Sequence, residues 1–113
     1  MEYSEDFLKK MVQCGTLGYP VSKIINVFDI DNEEQFVKDF DNKQSLVYKH
    51  YQKGIDKADF ILDSKLFEMA KEGDLKALAK YEERKKNNIN QVESERKEHK
   101  KGKKVDIVKF NYI

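Results

Sequence analysis

Apolar positions along the chain fall into successive helical stripes and one alternating run. Phe7, Leu8, Met11 and Val12 recur at helical spacing behind Ser4, a residue suited to an N-cap, with Glu5 and Asp6 set against the positive end of the helix dipole. This predicts a first helix over 5–14, stopped at Gly15. The stretch Gly15-Thr16-Leu17-Gly18-Tyr19-Pro20 holds two glycines and the only proline. Pro20 suits the first turn of a second helix, over 20–28, that turns Val21, Ile24, Ile25 and Phe28 inward. Asp31 followed three residues on by Glu34 makes a capping-box-like start, and Phe36, Val37 and Phe40 give a third helix its apolar face before Asn42.

From Gln44 the pattern lengthens. Val47, Tyr51, Ile55, Ala58, Leu62, Leu66 and Met69 step by three or four without a break until Gly73, predicting a helix over 44–72. Such a helix is about 43 Å long, against a diameter of ~34 Å for a compact globule of this chain length, so an elongated molecule is expected. Asp74 caps a further helix through Leu75, Leu78 and Tyr81, expected to fray or bend near 87–90, where Asn87, Asn88 and Asn90 are poor helix formers. Beyond Gly102, Val108, Phe110 and Tyr112 alternate with Lys109 and Asn111, a β-like pattern with no partner strand in the chain. The expected fold is all-α. A three-helix region over 1–43 leads into a long helix pair over 44–86, then a basic segment and a short C-terminal strand or disordered tail over 87–113.

Composition narrows the function. At 113 residues, with 39% apolar and 38% charged positions, the chain has room for one domain, or one small domain with an appendage, not for a multidomain enzyme. Aromatic residues at 12% exceed what a disordered segment carries, so the chain is expected to fold. No apolar run nears the ~18 residues of a membrane span and the first residues are acidic, which predicts a soluble, cytoplasmic protein. Cys14 is the single cysteine, and His50 and His99 lie far apart, so neither a disulfide nor a zinc site is expected. A phosphate-binding G-x-x-x-x-G-K-[ST] loop is missing. Asp29-x-Asp31-x-Glu33 fails as a calcium loop because Glu34 and Phe40 stand where Gly and Glu are needed. No enzyme activity, metal or cofactor is expected.

Charge is uneven: residues 1–80 hold 12 Lys against 15 acids, whereas 81–113 hold 10 Lys and Arg against 6 acids. The C-terminal third is therefore the more polyanion-facing part. Against this background, Gly15-x-x-Gly18-Tyr19-Pro20, Ile24-Ile25 and Phe28-Asp29-Ile30 precede Tyr48, Tyr51, Lys53-Gly54 and Ala58, and then Ala70, Gly73-Asp74 and Ala77. Over about 5–81 this order resembles the small terminase subunits of tailed bacteriophages, in which a homeodomain-like helix-turn-helix precedes a tyrosine-rich helix and an "A-x-x-G-D-x-x-A" break. The resemblance implies a ring-forming, non-enzymatic DNA-recognition subunit in the host cell cytoplasm. Such a subunit presents double-stranded DNA to an ATP-hydrolysing large terminase subunit.

One feature departs from that pattern. A helix-turn-helix reads the major groove with its third helix, yet residues 32–41 carry four acids against one lysine. Asn32, Gln35 and Lys38, flanked by Lys23 and Lys43, are the candidate contacts on that helix. Lys100, Lys101, Lys103 and Lys104 are the candidates outside it. The stripe residues Tyr51, Ile55, Leu62, Leu66 and Met69, with Phe60, Ile61 and Phe67 on a second flank, are candidate oligomer contacts. Val108, Phe110 and Tyr112 join them, either closing a barrel on a ring axis or adding to the edge of a sheet in the large subunit or another virion protein. Two rival readings remain: a dimeric helix-turn-helix transcription regulator, and a structural adaptor that binds no DNA.

Overall fold

A computed structural model describes the backbone of residues 2–102 and the side chains of 2–98. All regular structure among the described residues is helical, so the all-α class holds there. The order is α1 (Glu5–Leu17), α2 (Val21–Phe28), α3 (Glu33–Asp41), α4 (Leu46–Lys71) and α5 (Leu75–Gly102). Two compact units share the chain, Met1–Leu62 and Asp63–Ile113, with the division inside α4. The alternating run over 105–113, and with it Val108, Phe110 and Tyr112, lies outside the described residues.

Each helix end has a local cause. Ser4 Oγ accepts from the Phe7 amide at 3.1 Å, satisfying one of the donors that a helix start leaves open. α1 then passes through Gly15, where the sequence predicted a stop, and ends at Leu17. Gly18 is the actual terminator: it takes the left-handed conformation at φ 70°, and Tyr19 N–H closes on the Cys14 carbonyl at 3.0 Å. Asp29 ends α2 in the same left-handed region at φ 50°, which aspartate tolerates better than most residues. The cap of α3 is Asn32, not the expected Asp31: Asn32 Oδ1 accepts from the Gln35 amide at 3.2 Å. Ser45 Oγ accepts from the Tyr48 amide at 3.0 Å at the start of α4 and donates to the Asp39 carbonyl, tying α3 to α4. Gly73, at φ 102°, turns the chain, and Asp74 Oδ1 accepts from the Ala77 amide at 3.0 Å as expected.

The first unit closes around Leu8, Met11 and Cys14 of α1, Ile24 of α2, Phe36 of α3 and Val47 of α4. Aromatic rings extend this core in a chain from Tyr3 and Phe7 through Phe36 and Phe40 to Tyr51. α1 and α4 cross at glycine. A Cβ on Gly15 would stand 2.0 Å from the Tyr51 carbonyl oxygen, and one on Gly54 would stand 1.9 Å from that of Val12. Thr16 Oγ1 donates at this crossing to the carbonyls of Val12 and Gly54, at 3.1 and 3.3 Å.

In the second unit the end of α4 meets the start of α5. Arg84 Nε donates to Asp63 Oδ1, Asn88 Nδ2 reaches Asp63 Oδ2 at 3.5 Å, and the rings of Phe67 and Tyr81 lie 5.3 Å apart. The expected fraying at 87–90 does not occur and α5 runs on to Gly102. A mid-helix Asn costs only about 0.5 kcal/mol relative to Ala, and Asn88 is also held by Asp63.

Candidate functional site

The predicted contacts on α3 are occupied inside the chain. Asn32 spends its carbonyl oxygen on the cap, and the Gln35 amide nitrogen donates to Asp39 Oδ1 at 3.0 Å. The Lys38 ammonium sits 3.8 Å from Glu34, with both side chains well exposed, an arrangement worth at most a few tenths of a kcal/mol. The exposed positions of α3 are Glu33, Glu34, Lys38 and Asp41, so its open face is acidic. Lys23 lies over the Tyr19 ring, 4.7 Å from its centroid, and Lys43 is exposed in the turn before α4. The side chains of Lys100 and Lys101, and all of Lys103 and Lys104, lie outside those described.

Asp39 organises one end of the first unit. Its Oδ1 accepts from Gln35 and its Oδ2 accepts from the Tyr3 hydroxyl at 2.5 Å. Burial, and then the neighbouring Asp39, push the Tyr3 phenol well above its ordinary range. Burial raises Cys14 and Tyr51 in the same direction. The only thiol is thereby kept protonated and away from solvent, where it is a poor nucleophile. His50 Nδ1 faces the Leu46 carbonyl at 2.7 Å within its own helix. Among the described residues no group of three His, Cys, Asp or Glu side chains is placed to hold a metal, and no helix is long and apolar enough to cross a membrane.

The stripe read as one oligomer face divides. Tyr51 packs on the core, its hydroxyl donating to the Tyr19 carbonyl at 2.8 Å. Ile55, Leu66 and Met69 are half-buried, and Leu62 is exposed. On α4 the most open apolar side chains are Phe60 and Ile61, which are 72% and 68% exposed. A surface groove along α4 runs from Tyr48 to these two residues and carries Lys49, Lys53 and Lys57 on its walls. That lysine row recurs at four-residue spacing in the sequence, a pattern that places all three on one face of α4.

Against known proteins, the chain matches no family model, no curated protein and no solved structure.

Proposed function

We propose that the chain is a non-catalytic, self-associating DNA-recognition subunit, of the kind that presents a phage genome to a separate ATP-hydrolysing large subunit. The observation that carries this reading is the order of elements. Two short helices, α2 and α3, are joined by four residues on a core supplied largely by α1, as a helix-turn-helix requires, and long helices with uncovered apolar positions follow. The residue order over 5–81 supports the packaging assignment over a generic regulator.

In this reading DNA affinity comes from lysines outside α3, because the open face of α3 is acidic. Replacing Lys100, Lys101, Lys103 and Lys104 with Gln is expected to lower affinity for a double-stranded probe and flatten its salt dependence, each lost phosphate contact reducing the logarithmic slope by about 0.9. Fluorescence anisotropy between low and physiological salt measures both. Unchanged affinity and slope, together with loss of binding in Lys38→Ala, would place the contact on α3. No binding at low salt would leave the structural-adaptor reading. Light scattering separates a ring of many copies from the two-copy regulator.

A further inference from the structure

The flank of α5 that carries Leu75, Leu78, Glu82, Lys85, Ile89 and Val92 is spaced three, four, three, four and three residues apart, a heptad seam. Most of it is open, with Leu78, at 37% exposed, its most covered apolar member. Leu75 is 77% exposed, Ile89 is 47% exposed, and every residue from Lys85 to Glu98 is exposed. The residues by which α5 meets α4 within the second unit are Ala77, Tyr81, Arg84 and Asn88. They lie roughly 100° away around the helix axis, so the seam is a separate face.

The seam is symmetric in size and antisymmetric in charge: apolar, apolar, acid, base, apolar, apolar. Laid antiparallel on itself about the point between Glu83 and Arg84, it sets Leu75 opposite Val92 of a second copy, Leu78 opposite its Ile89, and Glu82 opposite its Lys85. A parallel pairing would set Glu82 on Glu82 and Lys85 on Lys85. Glu82 and Lys85 make no ion pair with each other or with another described residue. Lys85 leans on the Tyr81 ring, 5.8 Å from its centroid, leaving both charges available. We infer that α5 is a dimerisation element that pairs antiparallel with α5 of a second copy of this chain, through this seam. The closed two-fold contact cannot alone build a ring, so a ring of copies needs a second, different surface.

Sedimentation equilibrium of the full chain tests the pairing. Glu82→Lys places the introduced lysine against Lys85 of the other copy at two points and is expected to raise the dimer dissociation constant by about tenfold or more. Adding Lys85→Glu exchanges the charges and is expected to restore it. Circular dichroism checks that helix content is unchanged, as these exposed positions require. Independently, an oxidised mixture of Leu78→Cys and Ile89→Cys chains should form the mixed disulfide. Leu78→Cys alone should not cross-link, because its two copies stand about 16 Å apart along the antiparallel pair, beyond the ~7 Å limit for a disulfide. A wild-type chain that remains monomeric at tens of micromolar, no rescue by the charge exchange, or self-cross-linking of Leu78→Cys as readily as the mixture would overturn the inference. The pairing does not rest on the packaging reading: a two-copy protein that ignores DNA would keep the first and remove the second.

Discussion

Gly54→Ala sets two rules for glycine against each other. In an exposed helix the change stabilises by about 1 kcal/mol, because alanine is the better helix former. At this crossing the new methyl would stand 1.9 Å from the Val12 carbonyl oxygen, 2.9 Å from its carbon and 2.8 Å from the Thr16 nitrogen. All three are backbone atoms that no rotamer change can move. The helices must part by at least about 1 Å, and a gap of that size forfeits a quarter to a half of the dispersion attraction of each contact it opens. Met11, Cys14 and Val47, which pack in the same cluster, are the contacts at stake.

Overpacking of this kind costs typically 1–3 kcal/mol, and rigid atoms on both sides put this site at the upper end. After the propensity gain is offset, a net loss of about 2 kcal/mol remains. That is a large share of the ~3–9 kcal/mol expected of a unit this size. The melting temperature should fall by roughly 8–16 °C, followed by circular dichroism, with urea titration giving the free energy. Gly15→Ala should behave alike, since its Cβ meets the Tyr51 carbonyl oxygen at 2.0 Å, and the double variant should lose less than the two losses combined because one opening serves both. Gly54→Ala as stable as wild type, or more so, would refute the close crossing.

Three further outcomes are expected. Asn32→Ala should cost about 1 kcal/mol in urea titration through loss of the α3 cap, with Asp31→Ala within about 0.5 kcal/mol of wild type. Asp63→Ala leaves the partly exposed Arg84 without this acceptor and should cost about 1–2 kcal/mol, with faster amide exchange at the start of α5; unchanged exchange would count against the pair as a clamp. Tyr3→Phe should cost about 1 kcal/mol at pH 7 through the lost bond to Asp39. Because the folded phenol is raised above its unfolded value near ~10, the contribution of Tyr3 is complete below that pH and lost above it, so the gap to wild type should close in alkaline titration, and a constant gap would refute it.

What the sequence made legible was local. Ser4 and Asp74 cap as read, because a cap is a contact with a backbone amide three residues away. Asn32 and Asp31 are chemically interchangeable as caps, and only the path of the turn after Asp29 decides between them. Gly15 resembles a stop in the sequence because a glycine that ends a helix and a glycine that admits a second helix look alike along one chain. The difference is made by Gly54, thirty-nine positions away. The stripe on α4 had the correct period, but period gives only the direction of a face. It could not show that Tyr51 meets the core while Phe60 and Ile61 meet none of it. The expected break at 87–90 rested on small propensity differences, which one side-chain contact to Asp63 can offset.

The occupied state of α3 bears directly on how DNA would be read. Bidentate recognition of adenine uses both the oxygen and the nitrogen of an Asn or Gln amide, and each good pair discriminates by about 1–3 kcal/mol. Asn32 already commits its oxygen to the α3 cap, so engaging a base would release a contact worth about 1 kcal/mol. Gln35 commits its nitrogen to Asp39, which in turn holds Tyr3, so turning that amide outward would disturb the bond between the N-terminal segment and α3. Glu33, Glu34 and Asp41 add repulsion from phosphates on either side. The gain available from base contacts is thus matched by what they would undo. If the chain recognises DNA as proposed, specificity on such a helix would come from many copies acting together and affinity from lysines placed elsewhere, so copy number and the salt slope of any DNA binding are the two quantities that test the proposal.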